Sequence, residues 1–455
     1  MIISPAFAGK RYAVLGLARS GMSAAQTLLA SGAEVSAWDT REEARDALEG
    51  RAAIADPLTI DLAGFDGIVV SPGVPLNRHP IADYARGFGV PLIGDIELFA
   101  QARAHLPPHR VVAITGTNGK STTTKLVHHI CEMAGLPARM GGNIGLPVLE
   151  QDPLPHGGIY VLELSSYQID LTYSLAADIA ALINVSPDHL DRYEDFDHYG
   201  EAKARLFALQ TAGEHAVFGC GDAVTLGFAS REMARRLSGP VHTGLKGPSG
   251  LVHVVDPAAL HGQADWPSLQ GPHNLQNAAI AVQIAQLLGI SEQVWRAALA
   301  SFVGLPHRME RVASANGVLF INDSKATNPA STAPALGAYP RIHWIVGGLP
   351  KGDDLDACAP YFGHVVQAYT IGEAGPRFAE LLEPVMPVMR SEMLPNAVRQ
   401  AMDAAQPGDV VMFSPACASF DQFRDFEARG DSFRAIVEAL IMERAASATP
   451  PARAI

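Results

Sequence analysis

The chain lacks paired cysteines, long apolar runs and any excess of positive charge. Four cysteines, Cys131, Cys220, Cys358 and Cys417, are scattered through 455 residues with no C-x-x-C pair. That excludes a disulfide framework and suits a reducing compartment. No stretch approaches the ~18 consecutive apolar residues of a membrane span. The start, MIISPAFAGKR, has no cationic stretch leading into an apolar core. No signal peptide and no stable membrane association are therefore expected, and a cytoplasmic location is. Lys and Arg number 34 against 47 Asp and Glu, for a net charge of −13. Such a balance argues against a nucleic-acid surface, so an anionic ligand must be held by local donors. Self-similarity at solenoid periods is also absent. What is present is 48% hydrophobic and 18% charged residues, a globular balance. The length suggests about three domains, and the tail AASATPPARAI is expected to fray.

The stretch VVAITGTNGKSTTTK, residues 111–125, organises the rest. Val111 to Ile114 reads as a buried strand that stops at Gly116, and helical spacing follows through Leu126, Val127, Ile130 and Met133. Strand, glycine turn and helix N-terminus make a phosphate cradle, with backbone N–H groups and the helix dipole aimed at the anion. Lys120 can reach the terminal phosphates and the Ser121 hydroxyl can hold Mg²⁺. The usual phosphate-loop spacing would need glycine at 114, where Ile114 sits. The loop is a tighter one: Gly116, Thr117, Asn118, Gly119, Lys120, Ser121 and Thr122. It is read as an ATP site.

Upstream, strands are expected at Arg11–Leu15, Glu34–Trp38 and Gly67–Val70, alternating with helical segments. This pattern predicts a parallel sheet whose ligands bind at the strand carboxyl ends. Those ends offer Arg19, Ser20, Asp39, Thr40, Arg41 and Ser71. Asp39 lies about 20 residues beyond a glycine turn, which also suits a ribose in an NAD-dependent oxidoreductase. Ala18 stands at the glycine that would admit a pyrophosphate, so a nucleotide-diphosphate handle fits better.

Downstream, the strand Ile159–Glu163 delivers Glu163, and Ile179–Ile183 runs into Asn184-Val185-Ser186-Pro187-Asp188-His189. Glu163 and His189 are each open to a structural or a metal-binding reading. Lys203 reads by default as a solvated helix lysine. Asn274 and Asn277 precede an apolar helix expected from Ala278 to Leu288, as ligands or caps. After Leu305-Pro306-His307-Arg308, strands are expected at Val318–Ile321, Arg341–Val346, Val366–Ile371 and Val410–Phe413, a further doubly wound domain. Asp323 and Lys325 are a solvated pair or an ATP contact. Cys417 is read as a packed small residue.

The segments GTNGKSTTTK, GGNIG, LELSSYQ, NVSPDHLDRY, GPHNLQNAAIA, LPHRME, NDSKATN and SPACASFDQF occur in one order along the chain. Together they resemble the Mur ligase superfamily of ATP-dependent amide-bond-forming enzymes. The resemblance implies an α/β protein of three domains: a Rossmann-like N-terminal domain (1–100), a central P-loop ATPase-like domain (101–305) and a C-terminal Rossmann-like domain (306–455). DTR after the second strand, NDSKATN and SPACASFDQF resemble the member that adds D-glutamate to UDP-N-acetylmuramoyl-L-alanine. A sibling ligase of Mur or folylpolyglutamate type is the alternative.

On that resemblance Gly116–Thr122, with Asn274, Asn277, Arg308, Asp323 and Lys325, would hold ATP. Ser121, Glu163, His189 and Lys203 would hold Mg²⁺ at two sites, Lys203 as a carbamate. Arg19, Ser20, Asp39, Thr40, Arg41 and Ser71 would hold the uridine diphosphate, with Asn143 and His189 near the muramoyl-alanine end. Thr327, Lys351, Ser419, Phe420 and Phe426 would surround D-glutamate. Lys120, Asn143, His189 and Lys203 would carry the catalysis. The base for the glutamate amine is left open between His189 and a phosphate oxygen. A monomer acting on small molecules is expected. The chain departs from the family pattern at Ala18-Arg19 and at Leu349-Pro350 before Lys351.

Overall fold

Strands form where apolar runs are buried on both faces, the signature of parallel sheets covered by helices. The computed structural model describes residues 1–188, 191–211, 213–238 and 251–448. The first sheet comprises β1 (Arg11–Leu15), β2 (Glu34–Trp38), β3 (Ala53–Ile54), β4 (Gly67–Val70) and β5 (Leu92–Ile93). Its order is β3-β2-β1-β4-β5 with every pair parallel. The second comprises β6 (His109–Thr115), β7 (Ala138–Gly142), β8 (Gly158–Glu163), β9 (Ile179–Leu182), β10 (His215–Gly219) and β11 (Val252–Val255). Its order is β11-β10-β9-β6-β8-β7, again all parallel. The third comprises β12 (Glu310–Ala315), β13 (Val318–Asn322), β14 (Ile342–Gly347), β15 (Val365–Ile371), β16 (Val388–Glu392) and β17 (Val410–Phe413), ordered β12-β13-β17-β14-β15-β16.

The expected long strands are all present, within a residue or two of their expected ends. Sequence reading missed the short edge strands β3 and β5, along with β7, β10, β11, β12 and β16, whose apolar runs are short or interrupted by polar residues. β12 also breaks the parallel pattern by pairing antiparallel with β13. The cause is a two-residue turn, Asn316-Gly317, with φ of 51° and 78°. Positive φ at both central positions matches the right-handed twist of a hairpin. A second difference concerns the apolar helix: it starts at Pro272, not Ala278, and runs to Leu287. Asn274 and Asn277 therefore sit inside its first turns and do not cap it.

By packing, the chain divides into two compact units, Met1–His261 with Gln276–Leu299, and Gly262–Leu275 with Ala300–Ile455. In the first, a continuous core joins sheets one and two through the helix Asp95–Ala102, whose Phe99 ring meets Tyr160 of β8 at 5.0 Å. Glu97 on that helix accepts from the backbone N–H of Tyr173 at 2.7 Å and of Ser174 at 2.9 Å, fixing the helix to the β8 side.

The second unit is tied together by Arg429, a guanidinium only 1% exposed. It donates to Ser324 Oγ (3.0 Å), Ser324 O (2.7 Å), Cys417 O (3.1 Å) and Ala418 O (3.0 Å). The loops after β13 and β17 are thus held by one buried cation, whose pKa burial lowers to about 10. Arg429→Met strands these acceptors and is expected to cost about 3–5 kcal/mol. An unchanged urea midpoint in the variant would contradict this reading.

Candidate active site

In all three sheets polar candidates sit at strand carboxyl ends, where open α/β sheets bind ligands, while Lys203, Asn274 and Asn277 lie on helices. In the first sheet the crevice opens between β1 and β4. Gly16, at φ 86°, lets the turn after β1 approach Ser71, whose Oγ donates to Gly16 O at 2.8 Å. A Cβ on Gly21 would lie 1.8 Å from Gly16 O, so the following helix requires glycine there. Asp39 accepts from Leu17 N–H (2.6 Å), Arg41 N–H (2.9 Å), Arg41 Nε (3.0 Å) and Arg41 Nη2 (3.2 Å). Four donors occupy its lone pairs, so Asp39 organises the turn. The Arg41 hydrogen bond pulls the Asp39 pKa down to about 2. Thr40 and Arg41 are exposed beside it, and Arg45 donates to Asp39 O at 2.8 Å. Arg19 donates to Gly145 O, in the loop after β7, and Ser20 follows it in the first turn of the helix Arg19–Ala30.

The second sheet carries the phosphate loop. β6 ends at Thr115 and the helix Lys120–Met133 begins at once, with Gly119 as its N-cap at φ 85°. Gly116 has φ 153°. A Cβ on Gly119 would stand 2.2 Å from Asn277 Oδ1, so the Asn277 carboxamide lies against the loop. Lys120 Nζ folds back onto the carbonyls of Gly116 (2.9 Å) and Thr117 (2.8 Å). Ser121 is buried in the first turn, with Thr122 half-buried after it.

Two residues that sequence reading passed over hold the loop. Asn184, just past β9, accepts from Asn118 N–H at 2.9 Å and donates to Asn118 O at 3.1 Å. The Tyr199 hydroxyl pairs with Thr117 Oγ1 at 3.2 Å. Asn184 belongs to a quoted motif, and its place at a strand end was the one available signal.

Beside the loop, Glu163 ends β8, and its Oε1 accepts from Asn143 Nδ2 at 3.0 Å. Its Oε2 is buried without a hydrogen-bond partner among the described residues. Lys203, 2% exposed, places Nζ 4.3 Å above the Tyr199 ring. Burial, and secondarily the charge of Lys120, pushes the Lys203 pKa well below the ordinary lysine value; Asp188, Asp170 and Glu163 act the other way. The default reading of Lys203 as a solvated helix lysine is thereby corrected: its helix face is turned inward. His189 lies outside the described residues. Among the described residues no group of three or more His, Cys, Asp or Glu gathers in a metal-binding arrangement. The partnerless Glu163 oxygen beside a phosphate cradle is what a Mg²⁺ ion would satisfy.

In the second unit, Asp323 lies after β13 and accepts from Met309 N–H at 3.1 Å and Ser414 Oγ at 2.7 Å. Burial pushes its pKa up to about 7. The charge of Arg308 acts on it in the opposite sense. Lys325 donates its N–H to His307 O at 3.0 Å and sets Nζ 4.0 Å above the Phe426 ring. Asp323 and Lys325 are thus not a solvated pair. Leu349 and Ala418 exchange hydrogen bonds of 3.0 and 2.9 Å, which joins the loop carrying Lys351 to the loop carrying Ser419. Ser419 is buried, Thr327 and Phe426 are half-buried, and Lys351 and Phe420 are exposed. Cys417 is fully buried and its thiol is pushed up to about 12, as expected of a packing residue. Asn274 donates to Gln270 O at 3.1 Å.

Comparison with known proteins adds an independent line. Three family descriptions match: "Mur ligase MurD-like, N-terminal domain" over 10–94, "Mur ligase middle domain" over 114–285, and "Mur ligase, glutamate ligase domain" over 307–417. The chain is 77% identical over 446 residues to a Novosphingobium aromaticivorans protein named UDP-N-acetylmuramoylalanine–D-glutamate ligase, covering 98% of each. A protein of the same name from Sphingopyxis alaskensis is 57% identical, over 97% of this chain and 100% of that one. Among solved structures, the UDP-N-acetylmuramate-alanine ligase of Thermotoga maritima aligns with TM-score 0.55 at 16% identity, covering 97% of this chain and 100% of that one. A MurF ligase from the same organism, in complex with ADP, aligns with TM-score 0.56 at 15% identity, covering 97% and 96%. At these identities the structural likeness is one of fold.

The Asp39–Arg41 pair makes a pH prediction. A carboxylate whose folded pKa is lowered to about 2 contributes stability above its unfolded pKa and loses it as pH falls through the folded one. Asp39→Asn is expected to be less stable than the parent at pH 6, with the gap closing toward pH 2. Acid titration of the two proteins by circular dichroism checks this, and a constant gap would refute it.

Proposed function

Because the chain belongs to the Mur ligase family, we propose that its strand-end residues carry out ATP-dependent ligation of D-glutamate to UDP-N-acetylmuramoyl-L-alanine, a step of peptidoglycan synthesis. Relatives of 77% and 57% identity along nearly the whole chain bear that activity in their names. The observation in the structure that best supports it is the phosphate loop set against a buried lysine and a carboxylate oxygen with no partner.

A carboxylate is a poor acyl donor and must first be activated. In this reading the alanyl carboxylate attacks the γ-phosphorus of ATP, giving an acyl phosphate and ADP. The D-glutamate amine then attacks the acyl carbon, and phosphate leaves. Gly116–Thr122 cradle the phosphates, and Lys120 offsets charge gathering on the transferred phosphoryl group. Ser121, Glu163, His189 and Lys203 are the residues that would hold Mg²⁺, which supplies Lewis-acid neutralisation of the phosphates when bound. Asn143 orients Glu163 and lies toward the muramoyl-alanine end. Asn274, Asn277, Arg308, Asp323 and Lys325 complete the ATP site. Arg19, Ser20, Asp39, Thr40, Arg41 and Ser71 take the uridine diphosphate, and Thr327, Lys351, Ser419, Phe420 and Phe426 take D-glutamate. His189 and a phosphate oxygen are the two candidates for accepting the amine proton.

The low pKa of Lys203 bears on its carbamate. A neutral amine can attack carbon dioxide, forming one N–C bond and releasing one proton; a protonated one cannot. Burial shifts the amine toward its neutral form, and a carbamate there would bring a negative charge beside Lys120. Domain boundaries near residues 100 and 305, a monomeric state and a cytoplasmic location belong to the same proposal. Among the described residues no helix is long and apolar enough to cross a membrane.

Phosphate release from ATP and Mg²⁺, measured with UDP-N-acetylmuramoyl-L-alanine and a panel of L- and D-amino acids, is expected to require D-glutamate. Release with a different amino acid only would overturn the specificity. Lys203→Ala is expected to lose activity, to regain part of it with a short-chain carboxylic acid and none with bicarbonate. Full activity in that variant would remove the carbamate from the reading.

A further inference from the structure

The substrate in this reading is long, with its nucleotide end at the first sheet and its reacting carboxyl end near the phosphate loop of the second. Something must set the distance between those two ends. Arg192, half-buried just past Asp191, touches both sides. Its Nη2 donates to Pro72 O at 3.0 Å, in the loop that begins with Ser71 at the end of β4. Asn77, farther along that loop, donates to Asp191 O at 2.8 Å, so the contact has two stitches.

On its other side the Arg192 guanidinium lies 4.5 Å from the centroid of the Tyr167 ring. Tyr167 stacks on Tyr193, with centroids 5.9 Å apart and planes at 12°. Tyr193 meets Tyr199 at 5.5 Å and donates its hydroxyl to Asp170 at 2.9 Å. Tyr199 in turn carries Lys203 Nζ over its ring and pairs with Thr117 of the phosphate loop. A ladder of ring contacts, the first stacked and the second tilted at 58°, thus runs from the Ser71 loop to Lys203. Aromatic pairs prefer a few specific geometries, so a displaced ring presses on its neighbour.

We propose that Arg192 is a positioning residue that sets the register between the nucleotide end and the reacting carboxyl end of the uridine diphosphate substrate, through the Ser71–Asn77 loop and the tyrosine ladder. It rests on the substrate reading above. Binding energy from a remote part of a substrate raises turnover only if the scaffold carries it to the reacting centre. Arg192 spans that gap and is the bridging side chain that also meets the tyrosine ladder among the described residues. Lysine could still reach Pro72 O but has no planar face for Tyr167.

The test compares turnover of UDP-N-acetylmuramoyl-L-alanine with that of N-acetylmuramoyl-L-alanine lacking the nucleotide, in the full chain and in Arg192→Met. The variant is expected to lose about 10–100-fold in kcat on the full substrate, the scale of an ångström-sized misplacement, and to leave the truncated substrate unaffected. Arg192→Lys is expected to fall between the two. Equal losses on both substrates would make Arg192 merely structural and overturn the proposal, as would full turnover on both. A readout without turnover separates this from failure of the substrate reading. Uridine 5′-diphosphate is expected to slow amide hydrogen exchange in residues 191–199 of the parent but not of Arg192→Met. Equal slowing in both overturns the clamp. Failure of the parent to bind the nucleotide overturns the substrate reading, and the clamp with it.

Discussion

Two ammonium groups cannot share a dry site unless one gives up its proton or a negative charge joins them. Lys120 and Lys203 stand in that relation, with Lys203 nearly sealed from water. Much of the site follows from this constraint. Lys120 is folded onto the carbonyls of Gly116 and Thr117, so its charge is spread over oriented dipoles. Lys203 has its pKa pushed down by burial and lies on an aromatic face. Glu163 points a partnerless oxygen inward.

The same logic fits the proposed binding of anionic nucleotides by a chain of net charge −13. Long-range attraction is of the wrong sign, so recognition is delegated to short-range donors: helix N-termini, glycine turns and single cations. Asp39 shows the economy of the scheme. Its carboxylate is consumed in holding Leu17 and Arg41, and this shapes the turn that faces the ligand. Arg429 plays the corresponding part in the second unit, where a buried guanidinium gathers backbone carbonyls of two loops. In both places a charge is spent on geometry.

Much of this was legible in the order of residues. The run Val111–Thr115 could only be a buried strand, and Gly116 and Gly119 could only mark a tight turn before a helix. The structure has that strand, turn and helix where those two inferences put them. Asn274 and Asn277 were placed one turn wrong because Pro272 is well tolerated at a helix start, so the helix begins before its apolar face does. The β12–β13 hairpin was hidden by its polar, half-exposed strand, although Asn316-Gly317 carries the turn signal. Asn184, Arg192 and Arg429 escaped because polar residues outside a spacing pattern announce no partner. Each acts on groups far away in sequence: Asn184 on Asn118, Arg192 on Pro72, Arg429 on Ser324.

Local order therefore decided the elements, the phosphate loop and the family, since helix starts, strand runs and glycine turns depend on neighbours a few residues apart. Tertiary structure alone decided the electrostatics. Whether Lys203 is solvated or neutral, whether Asp39 is free or saturated, and whether Asp323 titrates near 7 depend on which distant groups exclude water around them. Desolvation and pairing are properties of a filled volume, and a linear chain has none until it folds.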